Sequence, residues 1–176
     1  MKFIKTPLAG AFLVELPQHS DHRGFFSRFF CADTFKAQGL DYNMVQCNIS
    51  RCNYRGTLRG LHYQTAPALE SKFIRCTRGE ICDVLVDMRP ESPSYLQHYT
   101  VILSADSNQG MYIPGMCAHG YQALQDDTEV MYLTSCPYDG AYEKGLRYDD
   151  PHIGMQLPIA VTEISDKDKS WPNITP

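Results

Sequence analysis

Short apolar runs bounded by turn residues set the rhythm of this chain. Runs rich in Val, Ile, Tyr and Thr occupy Met44 to Ser50, Lys72 to Thr77, Glu80 to Met88, Tyr99 to Leu103, Met111 to Pro114, Ala118 to Leu124 and Thr128 to Ser135. Segments of that length and composition read as β-strands. Arg78-Gly79, Ser107 to Gly110 and Asp126-Asp127 lie between them and supply turn chemistry. The stretch ICDVLVD, Ile81 to Asp87, mixes alternation with continuous apolarity, as expected of a strand buried on one face and partly covered on the other. Helical pattern is sparse: Ala32 to Gln38 suits one short helix ending at Gly39, and the far C-terminus suits another turn or two. Many short strands without β-α-β alternation predict an all-β fold, a double-stranded jelly-roll barrel with a few short helices. The interior of such a barrel is where a small ligand belongs.

Composition narrows the function classes. At 176 residues and 43% hydrophobic content, the chain suits one domain spanning 1–176. A net charge of -4 lacks the basic footprint of a nucleic-acid binder, although a pocket can still be locally basic. The 7 cysteines are an odd number without a CxxC pair, which points to a reducing compartment. Pro7 and Glu15 interrupt the N-terminal apolar run, making it a poor signal peptide, and no stretch reaches the ~20 apolar residues of a membrane helix. A soluble, cytoplasmic protein without a membrane partner is expected.

Arg55 to Gln64, RGTLRGLHYQ, packs two arginines, two glycines, a histidine and a glutamine into one short segment. If Leu61 points into the core, Arg59 and His62 reach one pocket only with a bend at Gly60. Alone, Arg59 could equally be a surface charge and His62 a satisfied histidine. His119, in IPGMCAHGY, also precedes a glycine at the end of an apparent strand, where it fits a turn as well as a ligand site. Cupin-like metal centres need a His-x-His pair, a carboxylate and a later histidine. Here Gly60 and Gln64 flank His62 at the same-face positions, and the nearest acid, Glu70, lies beyond a Pro-containing loop, so no bound metal is expected.

Several blocks together resemble the dTDP-4-dehydrorhamnose 3,5-epimerase family: Asp21 to Phe26, Gln46 to Ser50, Arg59 to Gln64, Asp83 to Asp87 with Arg89 and Ser92-Pro93, Ile113-Pro114 with Ala118 to Gly120, and Ser165 to Asp168. Their order and spacing match, from about Pro7 to Pro172. The resemblance implies a jelly-roll homodimer that needs no metal or other cofactor and acts on a dTDP-linked 4-keto-6-deoxy sugar. It further implies His62 as proton acceptor, Asp168 as its dyad partner, Tyr132 as proton donor on the opposite sugar face, and Lys72 near the C4 ketone oxygen. Arg23, Gln46, Asn48, Arg59, His119, Tyr138, Glu143 and Lys167 match positions that hold the nucleotide, diphosphate or sugar. Two positions depart from the family pattern. Arg28 in RGFFSRFF stands where a substrate-contacting carboxylate is common, which opens the base or sugar to variation, and Leu157 replaces a common aromatic in a packing role.

These residue types suit the implied chemistry. The C3 and C5 hydrogens are acidic because each neighbours the C4 carbonyl, and their removal makes an enolate that a cation such as Lys72 stabilises. A histidine held in one tautomer by a carboxylate serves as base. A phenol whose acidity is raised by a nearby cation reprotonates the other face. Conversion of dTDP-4-dehydro-6-deoxy-D-glucose to the L-rhamnose-series ketosugar is the leading expectation. Epimerisation at C3 or C5 alone comes next, and a non-catalytic sugar-binding jelly roll last. A homodimer is also expected from edge-strand pairing, with Ala11 to Leu16 adding to a neighbour's sheet and Phe26 to Phe29 near the partner's site.

Overall fold

The computed structural model describes residues 1–174. In chain order its elements are β1 (Lys2–Lys5), β2 (Phe12–Glu15), β3 (Gln18–Asp21), β4 (Gly24–Ser27), α1 (Ala32–Ala37), β5 (Gln46–Cys52), β6 (Leu58–Gln64), β7 (Lys72–Arg78), β8 (Glu80–Asp87), β9 (His98–Ser104), β10 (Gln109–Ile113), β11 (Cys117–Ala123), β12 (Thr128–Thr134), β13 (Glu143–Gly145) and α2 (Asp166–Lys169). A six-stranded sheet ordered β1-β2-β10-β7-β12-β5 packs on a five-stranded sheet ordered β13-β6-β11-β8-β9, and β3-β4 forms a separate hairpin. All ladders between these strands are antiparallel. This is the all-β, double-sheet jelly roll that the pattern of runs predicts.

Apolar side chains fill three layers. Ile74, Met111 and Val130 of the larger sheet meet Ile81, Leu85 and Leu103 of the smaller one in the central layer. Cys82, Val84 and Val86 project from the other side of β8 and are covered by Leu146, Ile153 and Met155. Strand β8 is therefore buried on both faces, more completely than ICDVLVD suggests, because the chain after β13 folds back over the smaller sheet. The third layer lies outside the larger sheet, where Phe35 of α1 sits edge-on to Phe3, Phe30, Phe73 and Tyr112. Helix α1 is too short to persist on propensity alone. This aromatic packing holds it, and Gly39 at φ +74 closes it with Leu40 N–H on the Phe35 carbonyl and Gly39 N–H on the Lys36 carbonyl.

One expectation is corrected. The Ala11 to Leu16 segment is not an edge free to join a neighbour: β2 pairs with β1 on one side and β10 on the other. The turn placed over Ser107 to Gly110 is also shorter, since β10 already starts at Gln109. No helix among the described residues is long and apolar enough to cross a membrane. All the cysteines are free; burial pushes Cys76 and Cys82 up to about 11 and Cys117 up to about 12.

The end of β8 is tied to the N-terminal loop by one carboxylate. Asp87, 0% exposed, accepts from Arg89 Nε at 2.8 Å and Nη2 at 2.7 Å, and from the Ser92 and Ser94 hydroxyls at 2.5 and 2.7 Å. Arg89 in turn donates to the Ala9 carbonyl at 2.6 Å. Burial alone would raise the Asp87 carboxyl, but these donors outweigh it and bring it from 3.8 to about 2. A carboxylate held down in this way adds stability above its unfolded value, and that stability is lost as pH falls through the folded value. Asp87→Asn is thus expected to cost about 2 kcal/mol at pH 7. Urea unfolding at pH 7 and pH 3 should show the gap between wild type and variant shrinking on acidification, and a constant gap would contradict the assignment.

Candidate active site

Between the two sheets lies a cavity of about 590 Å³, and a second of about 400 Å³ shares His62, Lys72, Tyr132 and Lys167 with it. Together they make one cleft whose floor is the centre of the barrel. The backbone of β6 decides what faces it. On β11, His119 and Tyr121 are two residues apart, yet their partners on β6, His62 and Arg59, are three apart. The extra residue is absorbed at Gly60, whose φ is +109. A Cβ at Gly60 would stand 2.6 Å from the His119 carbonyl oxygen, and one at Gly120 would stand 2.5 Å from the Arg59 carbonyl oxygen. Two bare glycines thus let the strands close on each other, and the bend aims both Arg59 and His62 into the cleft, as the sequence requires.

His62 Nε2 lies 2.6 Å from Asp168 Oδ1, and the Gly60 N–H donates to Oδ2 at 3.1 Å. With a carboxylate on Nε2, that nitrogen carries the proton and Nδ1 is left as the basic one. Asp168 is fixed by its own position in α2, where its N–H donates to the N-cap Ser165 hydroxyl at 3.1 Å. Burial pushes the Asp168 carboxyl up, but the His62 hydrogen bond and charge, with the Gly60 and Ser165 contacts, bring it below its ordinary value. Trp171 stands edge-on to the His62 ring, with centroids 6.2 Å apart.

Lys72 and Tyr132 enter from the larger sheet. The Lys72 ammonium is 2.9 Å from Glu70 Oε1 and 3.4 Å from the His62 carbonyl oxygen. The Tyr132 phenol is pushed up, first by burial and then by Glu70, with Arg59 opposing. The expectation was a phenol made more acidic by a nearby cation; here burial and Glu70 outweigh Arg59, and the phenol is held above its ordinary value. His119 sits inside β11, not at a strand end, and its Nε2 is 2.7 Å from Asp83 Oδ1. Arg59 donates to Cys52 Sγ at 3.4 Å and to the Arg51 carbonyl at 3.0 Å.

The remaining residues form the mouth. Asn48 and Gln46 of β5 lie opposite Tyr132 and Thr134 of β12 and share their face. The Gln46 amide oxygen accepts from the Tyr138 N–H at 3.1 Å. Glu143 Oε2 is 2.5 Å from Lys167 Nζ and accepts from the Tyr138 hydroxyl at 2.9 Å. Burial would raise Glu143, but Lys167 and Tyr138 hold it below its ordinary value, and Lys167, despite burial, is held above its own. Arg23 is not brought to this cleft: at the β3-β4 turn its side chain is 78% exposed and pairs with Asp21 at 2.5 Å. Arg28 likewise lines a separate hollow of about 180 Å³ beside Phe26 and His19. Among the described residues no group of three or more His, Cys, Asp or Glu side chains is placed to hold a metal ion.

Two acids escaped the sequence reading. Asp83 carried a signal, because a charged residue between Ile81 and Leu85 on a buried strand must be paired. Glu70 carried a weaker one: it stands two residues before Lys72, which opens β7, close enough for the 2.9 Å ion pair the two form.

Comparison with known proteins agrees with this geometry. The family model described as dTDP-4-dehydrorhamnose 3,5-epimerase matches residues 5–175. A dTDP-4-dehydrorhamnose 3,5-epimerase of Methanothermobacter thermautotrophicus is 39% identical over 97% of this chain and 92% of its own length. The crystal structure of the Bacillus anthracis enzyme of the same name, with TDP and PPi bound, superposes with a TM-score of 0.94 at 34% identity, covering 98% of this chain and 99% of that one. A 3'-monoepimerase from Streptomyces bikiniensis in complex with dTDP-quinovose is similar too, with a TM-score of 0.88 at 33% identity over 96% of this chain and 85% of the other. With residues 5–175 matched by the family model and its fold superposed on a solved member at 34% identity, the chain belongs to the dTDP-4-dehydrorhamnose 3,5-epimerase family of isomerases.

Proposed function

We propose that the cleft epimerises C3 and C5 of dTDP-4-dehydro-6-deoxy-D-glucose, with His62 as base and Tyr132 as acid. One observation carries the reading: His62 stands on the smaller sheet and Tyr132 on the larger, with the cleft between them. A sugar ring lying between the sheets turns one face to each, so removal of a proton by His62 and delivery by Tyr132 invert the carbon. Asp168 orients the imidazole and stabilises its protonated form. Lys72, whose side chain is largely withdrawn from water, meets the C4 oxygen as it becomes an enolate. The substrate's own ketone acidifies both hydrogens, so the residues named suffice for the proton transfers.

Arg59 and His119, which line the larger cavity, and Gln46, Asn48, Tyr138, Glu143 and Lys167 at the mouth are the groups proposed to hold the diphosphate and nucleotide. Arg23 joins them only from a second copy. The β3-β4 hairpin carries Phe25 and Phe26 at 58% and 62% exposure, and β5 is an open sheet edge that itself exposes Ile49. A homodimer in which each hairpin covers the other subunit's β5 would bury these groups and bring Arg23 to the cleft. The likeness to a 3'-monoepimerase keeps single-carbon inversion as the second reading.

Incubation with the 4-keto sugar nucleotide in D2O separates the readings by NMR: deuterium at C3 and C5 is expected, and label at one carbon alone selects the second. His62→Ala should cut turnover by roughly 10²–10⁴-fold with nucleotide affinity nearly unchanged, Asp168→Asn less, while Arg59→Ala should mainly weaken nucleotide binding. Near-normal exchange in His62→Ala would sink the assignment of the base. Sedimentation should give a dimer at micromolar concentration, shifted toward monomer in a Phe25→Ser, Phe26→Ser variant; a monomeric wild type would refute the hairpin exchange.

A further inference from the structure

The Lys72 ammonium has three N–H donors, and the structure accounts for two of them. Glu70 Oε1 stands 2.9 Å away and the His62 carbonyl oxygen 3.4 Å away, which leaves one donor for a ligand. Both charges are desolvated, the lysine side chain 12% exposed and the glutamate 8%. An isolated carboxylate beside a developing enolate would oppose it, so the presence of Glu70 in this cleft calls for a task that its charge performs on a neighbour.

We infer that Glu70 is a positioning residue of the epimerase site, anchoring the Lys72 ammonium so that its remaining N–H meets the C4 oxygen of the substrate. The segment that carries Glu70 is itself braced for this. Ala68 accepts from the Gln64 amide at 3.1 Å, and the Ser71 N–H and hydroxyl engage Ser135 Oγ at 2.8 Å and Asp41 Oδ2 at 2.5 Å. Glu70 therefore stands on fixed backbone between two anchored residues, and Lys72 begins a strand held on both sides by β10 and β12. A four-carbon ammonium stem is otherwise loose, and displacement of about 1 Å at a reacting centre costs on the order of 10²-fold in rate.

This inference rests on the epimerase reading, and the experiment separates the two. Initial rates of C3 and C5 exchange in D2O are measured for wild type, Glu70→Ala, Glu70→Gln, Lys72→Ala and the Glu70→Ala, Lys72→Ala double variant, with melting temperature as a fold check. Glu70→Ala should lower kcat roughly 10- to 100-fold while KM stays within about threefold. Glu70→Gln, which keeps an acceptor oxygen in place, should recover most of that loss. In the Lys72→Ala background, adding Glu70→Ala should change kcat by less than about twofold, because the group it positions is gone. A purely structural role predicts the opposite: the two losses multiply, KM rises, and melting temperature falls along with kcat. That result, or a Glu70→Ala rate within about twofold of wild type, overturns the inference while leaving the epimerase reading intact. A wild-type protein without exchange at either carbon removes both.

Discussion

The back-to-back approach of Gly60 and Gly120 is the contact on which the cleft depends. Strand β6 sets two residues, Gly60 and Leu61, against the single Gly120 of β11 there, and only backbone without Cβ atoms tolerates the approach. Without the offset, Arg59 and His62 would point to opposite faces of the smaller sheet, one into the barrel and one into the layer behind it. The same bend turns the Gly60 N–H toward Asp168, so the carboxylate that orients the imidazole is held by the backbone feature that aims it. Geometry and dyad thus share a single cause.

Charge in the cleft is arranged as local pairs. His62 has Asp168, His119 has Asp83, Lys72 has Glu70 and Lys167 has Glu143. Burying a charge beside a partner is far less costly than burying it alone. Arg59 differs, for its guanidinium is met by a thiol and a backbone carbonyl and by no carboxylate among the described residues. An acidic chain can thereby offer a cationic group to an anionic ligand while every other cleft cation is already neutralised.

Much of this was legible in the residues. Strands β5 and β7 to β12 each own a core-facing side, so burial imposes the alternation or apolar run that marks them. Strands β3 and β4 own none: QHSD is exposed throughout and GFFS nearly so, and nothing in such a pattern separates a projecting hairpin from a loop. The short N-terminal strands β1 and β2 were hidden in one broken apolar run, and β2 proved central to its half of the sheet because β10 returns beside it from nearly a hundred residues away. RGLHYQ and AHGY located the cleft, and the need for a bend at Gly60 followed from strand periodicity alone. Asp83 was given no role because its pairing with His119 across strands is a property of register, which local pattern does not encode, and Glu70 because an acid two residues from a lysine at a strand's start looks the same whether it faces a cleft or solvent.

Placing His62 and Tyr132 on different sheets has an effect beyond stereochemistry. The gap between them is then set by how closely the sheets pack, about 10 Å in sandwiches of this kind, and neither side chain can adjust it. The central layer of Ile74, Leu85 and Leu103 acts as a spacer between the sheets that carry these two side chains, the proposed base and acid. A methylene removed from that layer lets the sheets settle, which alters the span between the proposed base and acid. Under the proposed mechanism, core packing in this barrel becomes a kinetic variable as well as a source of stability.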